Sequence, residues 1–117
     1  MTASGRPDSE DGVIVRIWRG WASGDRPDGY PAHFRDRVVP VLRRLDGFRE
    51  ATLLRREDGA FVEFTVLTAW TSMNAIAAFA GRDPGNAVVE PEAVAALDHF
   101  DAHVTHHQIV ANETTNR

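Results

Sequence analysis

The chain has 117 residues and a formal net charge of -4, with no cysteine and no lysine. That length suits one domain, and the acidic balance argues against a nucleic-acid partner. Without cysteine there are no disulfides, thiolate nucleophiles or cysteine metal sites; without lysine there is no Schiff-base chemistry and no lysine general base.

Residues 1–12, MTASGRPDSEDG, read as a disordered arm. The arm lacks the apolar middle of a signal peptide, and no apolar run approaches the length of a membrane span. A cytoplasmic protein with no membrane partner is the expectation. The domain itself is expected over residues 13–110, followed by a polar tail at 111–117.

The first strand is expected at residues 13–22, VIVRIWRGWA. Val13, Val15 and Ile17 form an aliphatic face, and Ile14, Arg16 and Trp18 a mixed one. SGDRPDG then breaks the chain. A helix follows over residues 31–45, with Pro31 in its first turn and Phe34, Val38, Val41, Leu42 and Leu45 at helical spacing. Pro40 lies inside that pattern and should kink or split it. Gly47 is placed to end it.

A hairpin comes next. Residues 48–57 and 60–70 are strand-like, with Asp58-Gly59 as the two-residue turn. Thr71 or Ser72 can cap a helix that runs through residue 80 and closes at Gly81. RDPGN is a loop, residues 91–97 form a short helix, and HVTHHQIV at residues 103–110 is the last strand. The order is βαββαβ: an α+β, ferredoxin-like fold with an antiparallel four-stranded sheet. On the third strand Val62, Phe64, Val66 and Trp70 occupy one face, and Phe61, Leu67 and Ala69 the other. Helices can cover only one face, so a second copy of the chain is the economical cover for the other.

Three of the five histidines lie in the last strand. Alternation puts His106 and His107 on opposite faces, so the adjacent pair cannot chelate one ion from one side. The helix-like spacing of His99 and His103 is spoiled by the expected change from helix to strand, and no metal site is expected. His106 or His107 is either a polar strand residue bonded to its neighbours or a group facing a ligand cleft. Arg16 lies in an otherwise apolar strand. A buried arginine needs an anion or several acceptors. Glu63 on the third strand is the simpler partner, and a substrate phenolate or carboxylate the functional one. Trp18 and Trp70 are candidate aromatic walls of a pocket. Tyr30 and His33, one helical turn apart, can overhang a cleft edge; otherwise they are a tyrosine anchoring its helix and an exposed histidine.

RIWRGW, LRRE, VEFTVLTAWTSMNAIAAFAG, AVVEPE and FDAHVTHHQIV together resemble the antibiotic biosynthesis monooxygenase-like proteins of the dimeric α/β barrel superfamily. The resemblance runs over residues 13–110. It implies a homodimer of ferredoxin-like protomers joined through their sheets, each with its own cleft for a small hydrophobic or aromatic ligand. Members include cofactor-independent oxygenases of polycyclic aromatic compounds, haem-degrading enzymes, and cofactor-free cyclases or isomerases. Trp70 matches the tryptophan that commonly ends the third strand. The haem-degrading pattern is broken: Arg16 and Trp18 stand where an asparagine is expected, and Phe79-Ala80-Gly81 where a histidine is expected.

The expectation is therefore an oxidoreductase, a cofactor-independent monooxygenase acting on an aromatic, polyketide-like molecule. His106 or His107 would be its base and Arg16 would stabilise the anion. Trp18, Trp70, Tyr30 and His33 would bind substrate. The alternatives are a cofactor-free cyclase or isomerase, a carrier of a hydrophobic ligand without chemistry, and a haem-binding protein with a strand histidine as axial ligand.

Overall fold

The computed structural model describes residues 12–115. The arm expected at residues 1–12 therefore lies, Gly12 apart, outside the described residues, as do the last two residues of the tail.

The strands are β1 (Ile14–Ser23), β2 (Phe48–Asp58), β3 (Phe61–Trp70), β4 (His99–Phe100) and β5 (Thr105–Gln108). The helices are α1 (Gly29–His33), α2 (Val39–Leu42), α3 (Met73–Ala80) and α4 (Pro91–Ala96). One antiparallel sheet runs β2-β3-β1-β4, and β5 continues the edge along β1. This is the ferredoxin-like arrangement expected. No described helix is long and apolar enough to cross a membrane.

The alternation of the central strands builds the core. Trp18, Ala22, Val62, Phe64 and Val66 face the helices and are buried with Tyr30, Phe34, Ala93 and Leu97. A second cluster joins Trp70 to Leu42 and Ile76, all fully buried. Trp70 is wedged between Phe48 and Phe79, at ring-centre distances of 5.5 and 5.8 Å. Ser72 caps α3 by accepting a hydrogen bond from the Ala75 amide at 3.1 Å.

Pro40 does split the expected helix, through a π turn over Phe34–Val38 that links α1 to α2. Proline has no amide hydrogen, and its ring crowds the preceding turn. The wider turn absorbs this, with the Val39 amide donating to the Phe34 carbonyl. The hairpin turn falls one residue later than expected: Asp58 pairs with Phe61, leaving Gly59-Ala60 between them. Gly59 alone of that pair has positive φ, at 63°, as a type II′ turn requires.

Of the last strand expected at residues 103–110, only Thr105–Gln108 forms as β5, and a short strand, β4, forms at His99–Phe100, where none was expected. Between β4 and β5 the chain leaves β1 and bonds to the loop after α3. The Ala87 amide donates to the Ala102 carbonyl at 2.9 Å, and Val104 to Gly85 at 2.9 Å. Sequence periodicity sees the alternation of these residues but not the change of partner.

Candidate active-site cleft

A cleft opens between the helix-facing side of the sheet and the helices. The space inside it is about 60 Å³, below the usual range of small-molecule sites, so a ring-sized ligand would have to displace wall side chains. Arg16, Trp18, Val66 and Thr68 form the floor, Tyr30, His33, Val38 and Leu42 one wall, and Phe79, Val88, Glu90 and Ala93 the rest, with Val41 at the rim. The lining is mainly apolar and aromatic with few polar groups.

Arg16 is 5% exposed. Its Nη2 donates to the Asn86 carbonyl at 2.8 Å and reaches the Pro84 carbonyl at 3.5 Å. The guanidinium lies 5.4 Å from the Phe79 ring centre. Its Nε is buried without a partner. Glu63 is not its partner. Glu63 pairs with Trp21, an outward residue, in the β1–β3 register, which puts it on the sheet face opposite Arg16. There it accepts from Arg56 at 2.8 Å and 3.1 Å. Among the described residues no carboxylate pairs with Arg16. Burial lowers its pKa from 12.5 to about 10, which leaves it charged at neutral pH.

Trp18 packs on Tyr30 at 5.7 Å and donates from its indole nitrogen to the Asp101 carbonyl at 2.7 Å. The ring therefore presents a fixed face to the cleft. Tyr30 is buried. Burial first, and the charge of Glu90 second, hold its phenol well above the usual value, so it enters any chemistry protonated. His33, which one sequence reading left exposed, is only 8% exposed. Its Nε2 lies 3.3 Å from Glu90 Oε1, and its Nδ1 is buried without a partner.

The other candidates lie apart from the lining. Trp70 sits beneath Phe79 and donates to Thr68 Oγ1 at 2.9 Å; it holds two lining residues in place rather than contacting the space. His106 pairs directly with Arg16 across β1 and β5, so the two share the helix-facing side. Its Nε2 is buried without a partner, and its pKa is lowered by burial first, then by Arg16 and His107. His107 pairs with Val15 on the opposite face, where its Nε2 meets Thr105 Oγ1 at 2.9 Å. The sheet therefore separates the adjacent histidines, and only His106 shares a side with Arg16.

Thr68, Phe79, Val88 and Glu90 line the cleft without having been singled out in the sequence. Phe79 was legible as an apolar helix residue. Val88 and Glu90 belong to AVVEPE, which contributed to the family resemblance but carried no signal for a site.

The family model described as antibiotic biosynthesis monooxygenase matches residues 13–111. No curated protein sequence matches the chain. Among solved structures, it is similar to SnoaB, a cofactor-independent oxygenase from Streptomyces nogalater, with a TM-score of 0.56 and 20% identity over 91% of this chain and 99% of that one. It is also similar to Rv0793 from Mycobacterium tuberculosis, with a TM-score of 0.58 and 18% identity over 87% of this chain and 99% of that one. At such identities the structural likeness speaks for the fold.

Proposed function

Because the chain belongs to the antibiotic biosynthesis monooxygenase family, we propose that it is a cofactor-independent monooxygenase of an aromatic, polyketide-like phenol bound in this cleft. The observation that carries the reading is Arg16: a buried guanidinium with, among the described residues, no acidic partner, a free Nε and an aromatic surround. A buried cation in that state is stabilised by an anionic ligand. An oxygenase without cofactor needs its substrate to be an electron-rich anion.

The phenol would lie between Trp18, Tyr30 and Phe79 with its oxygen toward Arg16. Arg16 would stabilise the phenolate, and His106, its neighbour across β1 and β5 but outside the lining, would take the proton through a water. The ring then supplies all four electrons: one atom of O₂ becomes a carbonyl oxygen on a ring carbon that loses its C–H bond, the other leaves as water, and the phenol ends as a quinone. SnoaB's description as a cofactor-independent oxygenase supports a site without flavin or metal in the reaction.

The same proposal includes a homodimer in the cytoplasm. Val15, Ile17 and Leu67, all half-buried, and Leu54, 47% exposed, lie on the sheet face away from the helices. A second copy would cover that apolar row.

The test is oxygen uptake by the purified protein over a panel of naphthols and tricyclic phenols, with ¹⁸O₂ to follow the atoms. One labelled oxygen in the product, lost in Arg16→Met, is the expected result. Ligand recovered unchanged across the panel, without oxygen uptake, would establish a carrier instead.

A further inference from the structure

On the cleft wall opposite the sheet, α1 and α4 bring three potential ligands together. A ring nitrogen of His33 and a carboxylate oxygen from each of Glu90 and Glu92 lie within 4.8 Å of one another. Glu90 and Glu92 flank Pro91 at the start of α4, whereas His33 ends α1.

Two observations point to a ligand rather than a chance cluster. First, the His33 side chain is only 6% exposed; its Nε2 meets Glu90 Oε1 at 3.3 Å, and its Nδ1 is buried without a partner among the described residues. Second, neither glutamate is paired with an arginine among the described residues. Even a protonated imidazole would leave one negative charge uncancelled. A groove on the outer side of His33, lined by Asp25, Asp28 and Glu92 as well as Arg26, gives a mostly acidic approach from solvent.

We infer that His33, Glu90 and Glu92 bind a divalent first-row transition ion of the zinc class, which clasps α1 to α4 at the cleft wall. One imidazole with two carboxylates suits such an ion better than calcium or magnesium, which favour all-oxygen sets. Bonds of about 2.0–2.2 Å in a tetrahedron place ligand atoms roughly 3.4 Å apart. The His33–Glu90 separation of 3.3 Å already meets that spacing. Glu92 is exposed. Three protein ligands leave one position for water. The site is separate from the Arg16 floor, and its occupancy does not depend on turnover.

Isothermal titration of the purified full chain with zinc chloride in a non-chelating buffer tests this. One ion per chain, with a higher melting temperature at saturation, is expected. Glu92→Gln, at an exposed position, should weaken binding at least about tenfold, as should His33→Gln if it folds. His103→Gln and His107→Gln should leave it unchanged. No binding, or binding that survives Glu92→Gln and disappears with the strand histidines, would overturn the assignment.

Discussion

Replacing Arg16 with methionine distinguishes a residue kept for stability from one kept for a ligand. Burial lowers the guanidinium from 12.5 to about 10. At about 1.4 kcal/mol per tenfold, the charged form is roughly 3 kcal/mol less favourable in the fold than in water. At pH 7 the group is charged both folded and unfolded, so this cost is constant there. Opposing it are one good charge-assisted hydrogen bond to Asn86, worth about 1.5–3 kcal/mol, and the Phe79 contact, about 0.5–1 kcal/mol. The two sides nearly cancel. Methionine removes both and still fills the space, and water can take the place of the guanidinium at the Asn86 carbonyl, since Asn86 is an exposed residue. Arg16→Met should therefore stay within about 1 kcal/mol of the parent, a melting shift of no more than about 4–8 °C. Oxygen uptake should fall about 100-fold or more, as when one charge-stabilising donor is lost. Breaking a buried ion pair would instead cost about 3–5 kcal/mol. Calorimetry and an oxygen electrode on the same preparation decide it. A melting temperature lower by about 12 °C or more, or retained turnover, would refute the reasoning.

Other expectations follow from single groups. Tyr30 is the sole tyrosine, so absorbance near 295 nm reads it directly; without metal its phenol should stay protonated well beyond its ordinary 10.0, because of burial and Glu90. Ionisation near pH 10 would mean that the wall is open to water. His106 has a lowered pKa, so between 6.5 and its folded value the unfolded chain binds more protons. Stability should fall as pH drops through that window, and His106→Gln should flatten that part of a melting-temperature profile; identical slopes would contradict its burial. Gly47 has φ of 88°, and a Cβ there would lie 2.5 Å from the Ala75 Cβ. Gly47→Ala should cost about 2–4 kcal/mol in urea unfolding, and a neutral effect would show that the turn can relax.

Elements set by local pattern were legible in the sequence. Period-two alternation in β1 and β3, the glycine turn between β2 and β3, and the Ser72 cap all rest on nearest neighbours. Arg16 stood out because a charge in an apolar strand needs a reason. Its partners did not, because the Asn86 and Pro84 carbonyls are about 70 residues away and backbone oxygens carry no sequence label. Glu63 looked a plausible partner until the register put it on the other side of the sheet. The same register chose His106 over His107, a distinction that a one-residue slip reverses. His33 looked exposed because its burial comes from α4, and the path of α4 is a property of packing.

The three tryptophans sit in three distinct surroundings. Trp70 is fully enclosed, Trp18 borders the cleft, and Trp21 is stacked on His99 with rings 4.7 Å apart and 4° from parallel. Intrinsic fluorescence therefore carries three separable signals. A blue-shifted emission from Trp70 reports the integrity of the core, quenching of Trp18 reports occupancy of the cleft, and a change at Trp21 reports the far side of the sheet. Single tryptophan-to-phenylalanine variants would turn the native chromophores into a label-free map of the molecule.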